Sequence, residues 1–170
     1  MAVIIDLDQP LIDSSKAEYL RKARDWNAVY GMIPSLSPYL GITDLLAEFN
    51  SLKLPVCIVT SSPESYCKKV ISHWGWKVDA TVCYHDTAKH KPYPEPILLG
   101  LSKLNVSASE AVAVGDAAKD TQAAKAAKVL PIGALWGSLE KQQLSASQPS
   151  ILCETVNDLR DVLFEKFELG

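Results

Sequence analysis

The 170-residue chain has no surplus of basic charge. Lysine and arginine total 17 against 20 acids, for a net charge of −3. A nucleic-acid binder or a ligand of acidic membranes needs a basic stripe, so neither is an expected partner. No apolar run approaches the length of a bilayer span. Strand-like residues from position 2 leave no room for a charged and then apolar leader, so a cytoplasmic protein is expected. The four cysteines, Cys57, Cys67, Cys83 and Cys153, are far apart. Such spacing excludes a zinc-finger pattern and argues against a disulfide frame. Cys57 and Cys83 also sit in apolar runs that suit reduced core thiols. There is no internal repeat and no low-complexity segment. With 48% apolar and 22% charged residues, the composition is that of one ordinary globular domain spanning residues 1–170.

What is present is an alternation of short β-branched runs with amphipathic stretches. Strands are expected at 2–5, 56–60, 80–84, 111–114 and 130–135, with a weaker one at 150–153. Between the first two, Ser15 and Glu18 have capping-box spacing, and Tyr19, Ala23, Trp26 and Tyr30 recur at helical intervals. One helix ending at Gly31 is therefore expected. Residues 32–39 hold Pro34 and Pro38 and read as a loop. Ile42, Leu45, Leu46 and Phe49 then form the stripe of a second helix. Further helices should start at Ser62-Pro63, in the proline-rich stretch 91–96 with Ile97, Leu98, Leu101 and Leu104 inward, near Ala118, and after Thr155. Repeated strand–helix–strand units imply an α/β fold with a doubly wound parallel sheet covered on both faces.

The chemistry-bearing residues cluster at one kind of place, the carboxyl end of a predicted strand. They are Asp6 and Asp8, Thr60 with Ser61 and Ser62, Lys91, and Asp116 with Asp120. In open α/β sheets these edges meet in one crevice, where ligands bind. Four carboxylates against one ammonium make a strongly negative pocket, and such a cluster calls for a hard divalent cation or a shared proton. An all-oxygen set without histidine or thiolate favours Mg²⁺ over zinc.

In order, Ile4-Ile5-Asp6-Leu7-Asp8, Ile58-Val59-Thr60-Ser61, Lys91-Pro92 and Val114-Gly115-Asp116 with Asp120 resemble the four motifs of the haloacid-dehalogenase-like phosphohydrolase superfamily. The resemblance spans about residues 2 to 137. It implies a Mg²⁺-dependent phosphomonoester hydrolase working through an aspartyl-phosphate, with a phosphate ester as substrate. Asp6 would be the nucleophile, and Asp8 the general acid and base, protonated at rest. Thr60 and Ser61 would bind phosphate, and Lys91 would screen Asp6 from it. Asp6, Asp8 through its carbonyl, Asp116 and Asp120 would hold the ion. Related members include phosphomutases and phosphotransferases. Gln9 and Pro10 stand where the superfamily often has glycine and usually has threonine, which raises the alternative of a catalytically impaired binding or regulatory module. Only residues 14–38 stand where many members insert a large cap, so a reduced cap is expected, and a second subunit completing the pocket would make a homo-oligomer. His85, Asp86 and His90 lie near Lys91 and read as solvated loop residues at the entrance.

Overall fold

The computed structural model describes residues 1–169. A six-stranded, all-parallel sheet forms its centre. In chain order the elements are β1 (Ala2–Ile5), β2 (Ile12–Asp13), α1 (Glu18–Lys22), α2 (Trp26–Met32), β3 (Ser37–Pro38), α3 (Ile42–Ser51), β4 (Val56–Val59), α4 (Glu64–Trp74), β5 (Ala80–Val82), α5 (Glu95–Leu104), β6 (Ala111–Gly115), α6 (Ala118–Ala126), β7 (Leu130–Ala134), α7 (Lys141–Ala146), β8 (Ile151–Cys153) and α8 (Val156–Phe167). The sheet order is β5-β4-β1-β6-β7-β8. From β1 the chain builds outward through β4 and β5, then returns to the other side of β1 to lay down β6. The crevice of such a sheet opens where the winding reverses, between β1 and β6.

β1 lies between two parallel neighbours, with Ile4 opposite Cys57 of β4 and Ala113 of β6. Its residues are buried on both faces, which is why it reads as an unbroken apolar run. Alternate side chains serve two separate cores. Val3 and Ile5 join Phe49, Tyr66 and Leu159 under α3, α4 and α8, whereas Ala2 and Ile4 join Ile97, Leu101 and Ala123 under α5 and α6. All four cysteines are buried and reduced, as expected of core thiols. Among the described residues no helix is long and apolar enough to cross a membrane.

Between β1 and α3 the structure departs from expectation. Two helices replace the single one. Arg24 takes a left-handed φ of 58° that ends α1, and the Asp25 carboxylate accepts a hydrogen bond from Ala28 N at 3.2 Å to start α2. The Ser15–Glu18 capping box does not form. Ser15 instead donates its amide and hydroxyl to Asp13 Oδ1, at 3.1 and 2.6 Å. The proline-bearing loop contains β3, which pairs antiparallel with β2 in a two-stranded flap. On α5, Leu98 turns to solvent, and the inward place falls to Gly100 against Ile4, Cys57 and Val59. Helix α7 has no counterpart in the sequence reading.

The loop after β1 is fastened from the far end of the chain. Trp136 Nε1 donates to Pro10 O at 3.0 Å, and Tyr39 OH donates to Gln9 Oε1 at 2.9 Å. A side chain at Gly137 would place its first carbon 1.9 Å from Gln9 O, so only glycine permits this approach.

Candidate active site

β1, β4 and β6 deliver their C-terminal residues side by side. Asp6 follows β1, its amide bonded to Val114 O of β6, and its own Oδ1 accepts from Leu7 N at 2.9 Å. Asp116 follows β6. Carboxylate oxygens of Asp6, Asp116 and Asp120 all lie within 4.8 Å of one another. The approach of Asp120 depends on Gly115, where an added Cβ would sit 2.2 Å from the Asp120 Cβ.

Lys91 lies beneath this cluster, with its side chain only 4% exposed. Its Nζ is 2.6 Å from Asp120 Oδ1 and 3.2 Å from Asp6 Oδ1, and donates to Val59 O at 3.2 Å. Burial works to lower the Lys91 pKa, but Asp120 and Asp6 outweigh it and hold the ammonium above its usual range. Asp120 uses both oxygens, Oδ1 on Lys91 and Oδ2 accepting from Ala117 N at 3.1 Å. Asp6 and Asp116 are less well matched. Burial first, then Asp120 and Asp8, push Asp6 up to about 6 against the pull of Lys91. Burial, Asp6 and Asp120 push Asp116 up to about 8.

Carboxylates driven this far up lack positive charge, and their all-oxygen donor set suits a hard divalent cation. Both groups bind protons more tightly in the folded protein than unfolded, so stability of ion-free protein should fall as pH rises from about 4 to 8. Mg²⁺ should offset that loss. In thermal denaturation, Mg²⁺ is expected to raise the Tm markedly at pH 8 and little at pH 5. An equal effect at both would contradict this site.

Asp8 is held by three side chains. Its Oδ2 is 2.7 Å from Arg21 Nη2 and accepts from Ser62 Oγ at 3.0 Å, while Oδ1 accepts from Tyr66 OH at 2.8 Å. Three donors converge on the two Asp8 oxygens, one of them a guanidinium that can only donate, and fix the side chain in place. Burial, then the Asp8 charge, holds the Tyr66 phenol above its ordinary value, so it stays a donor. Arg21 and Tyr66 were not foreseen. Ser62 was foreseen as a helix cap and spends its hydroxyl on Asp8.

These groups meet in a cavity of about 600 Å³. Asp6, Asp8, Asp116, Ser61 and Ser62 line it, with Arg21 and Arg24 from the insertion and Lys119 from the start of α6. Thr60, Lys91 and Asp120 stand behind the wall. Thr60 Oγ1 accepts from Ser62 N at 3.0 Å and so shapes the loop. His85 reaches the wall, His90 stacks on Tyr84 with ring centroids 4.3 Å apart, and Asp86 accepts from Cys83 N at 2.7 Å.

The sequence profile of the haloacid dehalogenase-like hydrolases matches residues 9–134. The chain belongs to that family. The matched stretch begins just after Asp6 and Asp8, so the assignment does not depend on the acid pair. Among curated relatives, phosphoglycolate phosphatase of Escherichia coli K12 is 26% identical over 161 residues, covering 92% of this chain and 63% of that protein. The chain thus spans less than two thirds of the length of such relatives. Of solved structures, a hydrolase from Pseudomonas syringae superposes with a TM-score of 0.82 at 20% identity, covering 96% of this chain and 98% of the other. A β-phosphoglucomutase from Clostridium difficile gives 0.77 at 18% identity, covering 98% and 96%. At such identities these two likenesses establish the fold. In this family member, Gln9 has a φ of 81°, the left-handed conformation that glycine adopts without strain, at the position where glycine was the expected residue.

Proposed function

We propose that the protein is a Mg²⁺-dependent phosphomonoester hydrolase in which Asp6 is the nucleophile. The observation that carries this reading is the meeting of the Asp6 and Asp116 carboxylates, from adjacent strand ends, with a buried lysine behind them. Asp6 and Asp116 would hold the ion. Asp120, whose oxygens are taken, would fix Lys91 and reach the ion only through its waters. The ion would supply charge neutralisation for the phosphoryl oxygens. A phosphate entering the cavity would meet Ser61, the amides that open α4 and the Lys119 ammonium, all suited to an anion.

Attack by an Asp6 oxygen on phosphorus forms the aspartyl-phosphate and breaks the bond to the ester oxygen, which takes a proton on leaving. Water then displaces Asp6 and regenerates it. Asp8, held by Arg21, Ser62 and Tyr66, is placed as the base that takes the proton of that water. The proton it takes from that water is the one it would pass to the leaving alkoxide in the next turnover, so the two steps balance. The insertion at 14–38 serves as a reduced cap. Pro10 has not moved Asp8 off the cavity wall, which favours an enzyme over an idle module. The curated relatives' name makes phosphoglycolate one ester to assay.

The test is turnover of a panel of phosphate esters, p-nitrophenyl phosphate included, with Mg²⁺ and with chelator. Mg²⁺-dependent release of phosphate is expected. Acid-quenched protein should yield a phosphorylated peptide containing Asp6. Label on any other residue would overturn the assignment of the nucleophile.

A further inference from the structure

The insertion does more at this site than form part of its rim. Arg21, on α1, reaches across to the core, where Nη2 donates to Asp8 Oδ2 at 2.7 Å and to Ser62 Oγ at 3.3 Å, and Nη1 donates to Ser14 Oγ at 3.2 Å. Both serines are buried, so the guanidinium is seated on partners that cannot drift into solvent. Ser62 Oγ gives its own hydrogen to the same Asp8 oxygen at 3.0 Å. Behind them Tyr66, fully buried on α4, donates to Asp8 Oδ1 at 2.8 Å. Its ring is held in turn by the insertion. Trp26 of α2 packs against it with ring centroids 5.8 Å apart, and the Arg21 guanidinium carbon lies 5.9 Å from its centroid.

Each oxygen of a carboxylate offers two acceptor sites. On Asp8 Oδ2 both are spent, one on Arg21 and one on Ser62. Oδ1 spends one on Tyr66 and keeps one. The Asp8 side chain is only 7% exposed, yet it lines the cavity. A carboxylate pinned at three points cannot turn its other oxygen forward, and proton transfer requires the two heavy atoms within about 3 Å of each other. We infer that Arg21 and Tyr66 are positioning residues for Asp8, which hold it so that the proton is exchanged at Oδ1. The insertion thereby acts through Asp8 as well as by bordering the substrate. The inference rests on the phosphatase reading and deepens it, giving the proton to one oxygen and a mechanistic task to the insertion.

The basicity of the leaving group separates positioning from substrate contact or plain structural support. p-Nitrophenyl, phenyl and benzyl phosphate each carry one aromatic ring, but the departing oxyanion grows more basic along the series and leans more on a proton donor. kcat/KM reads the barrier to phosphoryl transfer from free enzyme and ester. Asp8→Asn sets the full effect. Its kcat/KM should fall at least about a hundredfold for benzyl phosphate and less than about tenfold for p-nitrophenyl phosphate.

Arg21→Met and Tyr66→Phe should repeat that slope on a smaller scale. A loss of about tenfold is expected for benzyl phosphate, the worth of one hydrogen bond, and of no more than about twofold for p-nitrophenyl phosphate. Tyr66→Phe keeps the ring against Trp26 and carries the comparison if Arg21→Met does not fold. In the Asp8→Asn background neither substitution should matter by more than about twofold, because both act through the group already removed. Equal losses on all three esters, or losses that persist in that background, would overturn the positioning role and leave the phosphatase standing. A loss in Asp8→Asn that does not steepen along the series would take proton transfer away from Asp8, and the inference would fall with it.

Discussion

Asp6→Asn is expected to lower kcat by at least about a thousandfold, the scale on which losing a covalent nucleophile is felt. The substitution keeps the shape of the side chain and an oxygen that can accept from Leu7 N. What it removes is the anionic oxygen that would attack phosphorus. Stability should move the other way. The fold holds Asp6 at a pKa of about 6, mainly through burial, so at pH 8 its charge is a cost in ion-free protein. A neutral amide avoids that cost, and the Tm in chelator should stay level or rise. Activity within tenfold of the native enzyme would remove Asp6 from the centre of the mechanism. A fallen Tm would instead mean that its charge is needed to balance Lys91.

Lys91→Met should be the most damaging change to the structure. Methionine fills nearly the same volume but offers no donor to Asp120, Asp6 or Val59 O, all within 3.2 Å of Nζ. Breaking a buried ion pair from one side typically costs about 3–5 kcal/mol, since the remaining charge has lost its solvent and its partner. For a domain of this size that corresponds to a fall in Tm of roughly 10 °C. Two further signatures identify the cause. The loss should be larger at pH 8 than at pH 5, because the stranded carboxylates can then escape only by protonation. Mg²⁺ should recover part of it by taking over the positive charge. A Tm within about 2 °C of native, in chelator at pH 8, would show that the acids do not depend on the lysine; the threshold is under one kcal/mol on the same scale.

The central strands were legible because each is buried on both faces and must be written as a continuous apolar run. Val3-Ile4-Ile5, Val56 to Val59 and Val112 to Val114 leave few alternatives. Asp6 and Asp116 were legible for a related reason: polar residues that directly follow such runs are carried to the sheet edge whatever the loops do. The insertion was harder to read. The break between α1 and α2 falls at Ala23-Arg24, where neither glycine nor proline marks it, and a flap of two-residue strands carries almost no periodic signal. The partners of Asp8 come from 13, 54 and 58 residues away. Tyr66, in the first turn of α4, reads in sequence as one more core aromatic, and only packing aims its hydroxyl at a carboxylate. Ser62 carried a cap signal, yet the cap position of α4 falls to Pro63 and the Ser62 hydroxyl donates to Asp8 instead.

The contacts of Trp136 and Gly137 with Gln9 and Pro10 make the segment after β7 a brace for the loop that bears Asp8. An injury there would be expressed at a distance. On the proposed reading, a chain altered at Trp136 would keep Asp6, Asp116 and Asp120 in place while losing the alignment of Asp8, and would present as a slow phosphatase with its acidic cluster intact.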